Sequence, residues 1–284
     1  MIRILIEPFQ AGYMQRALME LILISSLAGV VGTHIVLRRM AFVTEAATHT
    51  VFPGVAASTS GGASPLAGGF ASGLMASAAI AGLSRARKVR PDDATAIVLS
   101  TFFAVGVMIV SRRHSFASDL THLFFGRLLT VNEAVLWQTS AIVAVTFASI
   151  ALLQRWLVLR AFDQSSAAAA GVRVGALDLA LHVLVVLAVV GALRAVGTLV
   201  ALCLIIGPPA TARLLRPSIK FMMVAGTVIG GGAAWIGIGL SYELSIHHGV
   251  NVSASAMVAA TVTTVFAAVR IATAVAAKLG PTHE

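Results

Sequence analysis

The feature that most constrains this chain is a series of continuous apolar runs. Each is about 16–24 residues long, the length of an α-helix that crosses a hydrocarbon core. They recur from Arg16 to Ala276 with short polar links between them. A soluble core could not absorb them. Of 284 residues, 58% are hydrophobic and 11% are charged, whereas an ordinary soluble domain carries roughly 25% charge. With the bilayer as solvent, the backbone must satisfy its own hydrogen bonds, which leaves helices or a closed barrel. Barrel strands alternate apolar and polar residues with period two, and these runs do not. The expected fold class is all-α: one polytopic transmembrane helix bundle over residues 1–284, with eight to nine spans.

The spans are expected at about 16–37, 42–61, 65–83, 91–111 and 133–153, then two short helices within 177–215, then 221–240 and 253–276. Residues 177–215 are too many for one perpendicular crossing and are interrupted by Arg194, Gly197 and Gly207-Pro208-Pro209. Pro91-Asp92-Asp93 has the pattern of a helix start, with proline in the first turn and acids at the positive end of the dipole. The longest polar connection is expected at 154–175. A second polar link holds Glu243, His247, His248 and Asn251. Met1 to Gln15 contains Glu7 and Pro8 and shows no apolar segment of the kind a cleaved signal carries.

The net charge of +9 sits in the links. In a nine-span arrangement fourteen lysines and arginines fall on one side, among them Arg38, Arg39, Arg160 and Arg213, and six on the other, among them Arg16, Arg127 and Arg194. The richer side is the cytoplasmic one by the positive-inside rule, which puts the 154–175 connection in the cytoplasm. Short charged loops of this kind do not form a nucleic-acid surface. The single cysteine, Cys203, excludes an intrachain disulfide. Small residues are frequent in the spans, including Gly68, Gly69, Gly73 and Gly230-Gly231-Gly232, and are read first as close helix packing.

The chemistry concentrates in Leu37-Arg38-Arg39-Met40-Ala41-Phe42 through Glu45, His49, Pro53 and Gly54. Glu45 and His49 are four residues apart, so a helix places them on one face a turn from each other. Ionisable groups inside a membrane are costly and normally face a bundle interior or a watery path. A carboxylate and an imidazole suit a divalent cation such as manganese, iron or zinc. Two ligands make half a site, to be completed by another helix, water or a second copy of the chain. The structural alternative is a Glu–His pair that locks helix packing. Pro53-Gly54 is expected to interrupt the helix.

Other polar residues carry weaker signals. Glu20 and His34 lie fourteen apart, near one face of the first span, each expected to snorkel or to make a single hydrogen bond. His182 suits a satisfied core histidine. Asp119, His122 and Glu133 are scattered, and Glu243 with His247-His248 reads as a solvated link. No Gly-Lys dipeptide occurs, so no P-loop is present, and neither H-E-x-x-H nor G-x-S-x-G is found. The chain is therefore not expected to hydrolyse ATP by a P-loop, and no resident cofactor is expected.

Five ordered segments resemble the membrane permease subunits of ATP-binding-cassette importers for manganese, zinc and iron. They are the opening Glu7 to Leu18, the Leu37–Gly54 stretch, Asp119 to Gly126, Phe162-Asp163 with Ala167, Gly171 and Val172, and Gly197 to Ala212. The resemblance implies a type II importer-like bundle in a bacterial cytoplasmic membrane, paired with a second permease copy. It implies cytoplasmic ATPase subunits docked on Phe162, Asp163, Ala167 and Gly171, and an extracytoplasmic metal-binding protein that delivers the cargo. It also implies that Glu45 and His49 line the metal path. The family's usual Gly-Asp is Thr44-Glu45 here, which keeps the charge and extends its reach by one methylene. A secondary, ion-coupled carrier is the alternative, although no internal repeat of the kind such carriers show is found.

Overall fold

The computed structural model describes residues 6–60, 62–84, 89–111, 126–250 and 252–279. Its helices are α1 (Gly12–Leu37), α2 (Ala41–Ser60), α3 (Pro65–Ser84), α4 (Pro91–Ser111), α5 (Glu133–Phe162), α6 (Gln164–Ala169), α7 (Val174–Leu215), α8 (Ile219–His247) and α9 (Ala254–Leu279). Short 3-10 turns cover Glu7–Gln10 and Leu128–Thr130, and the described residues form no strand. Among the described residues, seven helices are long and apolar enough to cross a membrane: α1, α3, α4, α5, α7, α8 and α9. The twenty-residue α2 packs against α3 and α4.

The 42-residue α7 would be about 63 Å long if straight, twice the hydrocarbon thickness. It is not straight. Gly197 sits at φ 77° and ψ 175°, outside helical space. Near its start, Asp178 meets Arg38. Near its end, Arg213 Nη1 donates to the Val36 carbonyl at 3.1 Å. Both ends of α7 thus return to the C-terminal end of α1, so 174–196 and 198–215 are two antiparallel legs. The expectation of two short helices here is met, with the break at the glycine. Gly126, also at positive φ, is pressed against this turn, where an added Cβ would lie 2.4 Å from the Ala195 carbonyl.

The core lies where α7 and α1 cross. The most apolar stretch of α7 is 78% buried and that of α1 is 67%, against 11% for α9, which places α9 at the lipid-facing rim. Leu21 and Ile24 pack with Val196, Val200 and Leu204 in one half. Leu27, Val31 and Ile35 pack with Val185, Val189 and Ile205 in the other. At Ala28–Gly32 the winding of α1 loosens to a π-helix. Here Gly29 and Gly32 let the backbones of α8 and α7 approach, with 2.5 Å and 2.1 Å from an ideal Cβ to the Met223 and Ile205 carbonyls.

Several boundaries differ from the sequence expectation. Helix α5 continues nine residues past Leu153 to Phe162, because Arg155 stacks over Trp156 at 5.1 Å and Arg160 reaches Asp178. Helix α8 continues to His247, where Nδ1 stands 3.2 Å from Glu243 one turn back. Glu243 and His247 are therefore helical rather than in a link. Pro53-Gly54 does not end α2, which runs on to Ser60. Of Gly230-Gly231-Gly232, only Gly230 is packed, against Ser25 and Pro208; an added Cβ on either neighbour would meet nothing within 4 Å. Asp119, His122 and Asn251, with most of the Asp119–Gly126 segment, lie outside the described residues.

Candidate metal path

Glu45 and His49 stand on consecutive turns of α2, both half-buried, on a helix whose other polar groups are capped internally. Thr44 Oγ1 donates to the Met40 carbonyl and Thr48 Oγ1 to the Glu45 carbonyl. Among the described residues neither the Glu45 carboxylate nor the His49 ring makes a hydrogen bond to a side chain. The His49 ring instead meets Phe103 of α4 edge-on, with centroids 5.4 Å apart and planes at 82°. Phe52, one turn on, packs on Phe103 and on Gly106. Pro53 lacks the N–H that would bond the His49 carbonyl, so that oxygen is freed from the helical ladder beside the imidazole. Among the described residues no group of three or more His, Cys, Asp or Glu side chains comes together to hold a metal.

The opposite edge of α2 is fixed to its neighbour. Gly54 and Gly68 bring α2 and α3 into backbone contact, with 2.0 Å from an ideal Gly54 Cβ to the Gly68 carbonyl and 2.4 Å for the reverse. Ser72 Oγ donates to the Thr50 carbonyl at 2.6 Å. The site face is thereby held at a set rotation.

Among the described residues, two of the cavities in the bundle are walled by pairs or triplets of arginine. One, about 440 Å³, is lined by Phe52, Arg127, Asn132 and Arg194. The other, about 530 Å³, is lined by Arg38, Arg39, Arg160 and Asp178. Arg38 Nη1 donates to Asp178 Oδ1 at 2.7 Å and Arg160 Nη2 to Oδ2 at 3.1 Å. Burial pushes the Arg38 guanidinium below its usual pKa, and Asp178 pushes it back up. No local pattern announces this ion-pair hub, since 140 residues separate Arg38 from Asp178. Glu20 and His34 both turn to α5, where Thr139 Oγ1 donates to Glu20 at 2.7 Å and His34 Nε2 lies 3.1 Å from Gln154 Oε1. His182 Nδ1 meets the Asp178 carbonyl at 2.7 Å.

The four connection residues share one compact turn. Asp163 caps α6, its carboxylate accepting from the Ser165 and Ser166 N–H groups and hydroxyls. Those bonds, first the Ser165 and Ser166 hydroxyls, hold its carboxyl well below the usual carboxylate range. Ala167 is fully buried. Gly171 closes α6 at φ 79°, donating to the Ala168 carbonyl while Val172 donates to Ala167. Phe162 is left 72% exposed at the end of α5.

Long apolar helices packed around the two antiparallel legs of α7 form the polytopic bundle of a membrane-embedded transport protein. The model of the ABC 3 transport family matches residues 10–273. The chain is 32% identical over 240 residues to the manganese transport system membrane protein MntC of Listeria monocytogenes, covering 84% of this chain and 85% of that one. It is 35% identical over 237 residues to the manganese import system permease protein ScaB of Streptococcus parasanguinis, covering 84% of each. PsaBC from Streptococcus pneumoniae, solved in complex with Fab, superposes with a TM-score of 0.84 at 30% identity, covering 95% of both chains. The chain belongs to the ABC 3 transport family, as a permease subunit of an ABC-type divalent-metal importer in the cytoplasmic membrane.

Proposed function

We propose that the cargo is a transition-metal cation, manganese first among manganese, zinc and iron, and that it passes along the α2 face that carries Glu45 and His49. One observation carries the reading: a carboxylate and an imidazole one turn apart on α2, both half-buried, with no side-chain hydrogen bond among the described residues. Left facing lipid, such groups are costly; placed against a second copy of the chain, they pool to two carboxylates and two imidazoles. The freed His49 carbonyl adds a hard oxygen donor. The electrostatics of the cavities agree, because a dication has no favourable route through walls of arginine. The identity to MntC and ScaB favours manganese.

Cytoplasmic ABC ATPase subunits supply the energy and dock on the turn formed by Phe162, Asp163, Ala167 and Gly171. Its exposed phenyl ring and rigid cap suit a contact that transmits force. An extracytoplasmic metal-binding protein delivers the cation at the opposite end of the bundle. The site must release what it binds, and carboxylate with neutral imidazole is weaker than a closed cage of thiolates.

The test is radiolabelled manganese and zinc uptake by cells that lack their own importers and express the permease with its ATPase and binding protein. Glu45→Gln and His49→Ala are expected to abolish ATP-dependent uptake while the complex still assembles. Normal uptake in both variants would remove these residues from the path.

A further inference from the structure

The cavity walled by Arg38, Arg39 and Arg160 lies at the end of the bundle where α1, α5 and α7 meet, on a different side of α2 from the metal path. Val43 of α2 lines it, and Val43 is about 200° around the helix from Glu45. Three guanidiniums share the cavity wall with one carboxylate, Asp178. The Arg38 side chain is 6% exposed, and among the described residues its Nε and Nη2 have no hydrogen-bond partner, nor has Nε of Arg160. A buried, under-compensated positive charge is expensive unless an anion stands beside it.

Arg39 adds to this. It ends α1 at φ 58°, the only non-glycine residue at positive φ among those described. Met40 donates to the Ile35 carbonyl and Arg39 to Val36, the arrangement in which glycine is the usual residue. The chain keeps an arginine where glycine would be less strained, and that arginine lies on the cavity wall.

We propose that this cavity binds the phosphate of an anionic phospholipid. Its volume of about 530 Å³ is that of an organic-ligand pocket, larger than a bare phosphate requires. The rest of the wall mixes hydroxyls and an imidazole, from Ser77, Ser84, Thr95 and His182, with apolar Val43 and Ile80, which suits the glycerol oxygens and first methylenes below a headgroup. Basic pockets between helices at a membrane surface recognise anionic headgroups in this way. Arg39 and Arg160 contact the phosphate, and Arg38 contributes its field through the shared Asp178. Free inorganic phosphate offers the same chemistry without the apolar part.

The experiment uses the purified permease–ATPase complex, delipidated and titrated with phosphatidylglycerol or phosphatidylcholine, with binding read by native mass spectrometry and by thermal unfolding. Phosphatidylglycerol is expected to bind about tenfold more tightly than phosphatidylcholine. Arg39→Gln and Arg160→Gln together should remove that preference. Arg39→Gln alone, at an exposed position, should reduce it with the fold intact, and Arg216→Gln, outside the cavity, should leave it unchanged. Inorganic phosphate at matched ionic strength is the second arm. If it displaces the lipid and stabilises the complex equally, the anion site stands with a free phosphate as occupant. Equal binding of the two lipids with no effect of phosphate overturns the proposal, as does full phosphatidylglycerol preference in the folded double variant.

Discussion

Gly54→Ala tests how closely the metal-path helix depends on its neighbour. The new Cβ would lie 2.0 Å from the Gly68 carbonyl oxygen, 2.5 Å from Ser72 Cβ and 2.7 Å from the Gly68 carbonyl carbon. Two of these three atoms are backbone, so no rotamer change relieves the clash. The helices must separate by at least about 1 Å to restore a contact distance, and overpacking of this kind costs about 1–3 kcal/mol. The separation also stretches the 2.6 Å bond from Ser72 to the Thr50 carbonyl, placing the expected loss at the upper end, roughly 2–3 kcal/mol. Thermal unfolding of the purified complex should fall by roughly 3–5 °C, with metal uptake reduced because Glu45 and His49 move with α2. Gly231→Ala is the matched control, since its Cβ meets nothing within 4 Å, and it should leave both readouts unchanged. An unfolding temperature and uptake for Gly54→Ala equal to those of the control would refute the backbone contact as a determinant of α2.

Three further outcomes follow from the same structure. Gly197→Ala forces an L-residue into φ 77°, ψ 175°, a region essentially restricted to glycine, and should cost about 1–3 kcal/mol, measured as a lower yield of folded protein and a lower unfolding temperature. Asp178→Asn leaves two guanidiniums without their carboxylate; with Arg38 at 6% exposure and Asp178 at 29%, a loss of about 2 kcal/mol is expected in thermal unfolding. The combined change Arg38→Met, Asp178→Leu should be milder. Because the Asp163 carboxyl is held below its ordinary value of 3.8, its cap is fully present above that pH and is lost only as pH falls through the lowered value. Amide exchange in α6 should therefore be equally protected from pH 4 to 7 once the intrinsic rate is removed, and unprotected throughout in Asp163→Ala; protection fading near pH 5 would count against the cap.

Hydropathy located the spans because apolar length is a local property, and it failed where charge is neutralised by distant or helical partners. Arg155 and Arg160 looked like the end of a helix, yet α5 passes through both, since Trp156 and Asp178 receive their guanidiniums. Glu243 and His247 read as a solvated link, yet they stand one turn apart on α8 with Nδ1 3.2 Å from the carboxylate. Glu45 and His49 were legible as a pair because four residues is a helical turn. The Asp163–Gly171 turn was legible as a motif, and its structure gives each residue a physical reason: a cap, a buried methyl and a left-handed stop. The Arg38–Asp178–Arg160 hub was invisible, because nothing local announces a contact across 140 residues. Nor does sequence tell a packed glycine from a roomy one: an added Cβ on Gly230 would meet Ser25 at 3.0 Å, and one on Gly231 nothing within 4 Å.

The reversal at Gly197 also bears on how the protein is made. Two legs joined by a single residue cannot enter the bilayer one after the other, because the second has no slack in which to wait. They insert as a hairpin, tip first. Arg194 stands three residues from that tip, so a guanidinium must be carried across with it, a passage that costs about 2.5–3.5 kcal/mol at the bilayer centre. Arg213 and Arg216, at the trailing end of the second leg, stay on the side of synthesis. The apolar surface of both legs, delivered together, offsets the cost of Arg194; a ribosome stalled before the second leg emerges would leave the first to bear it alone.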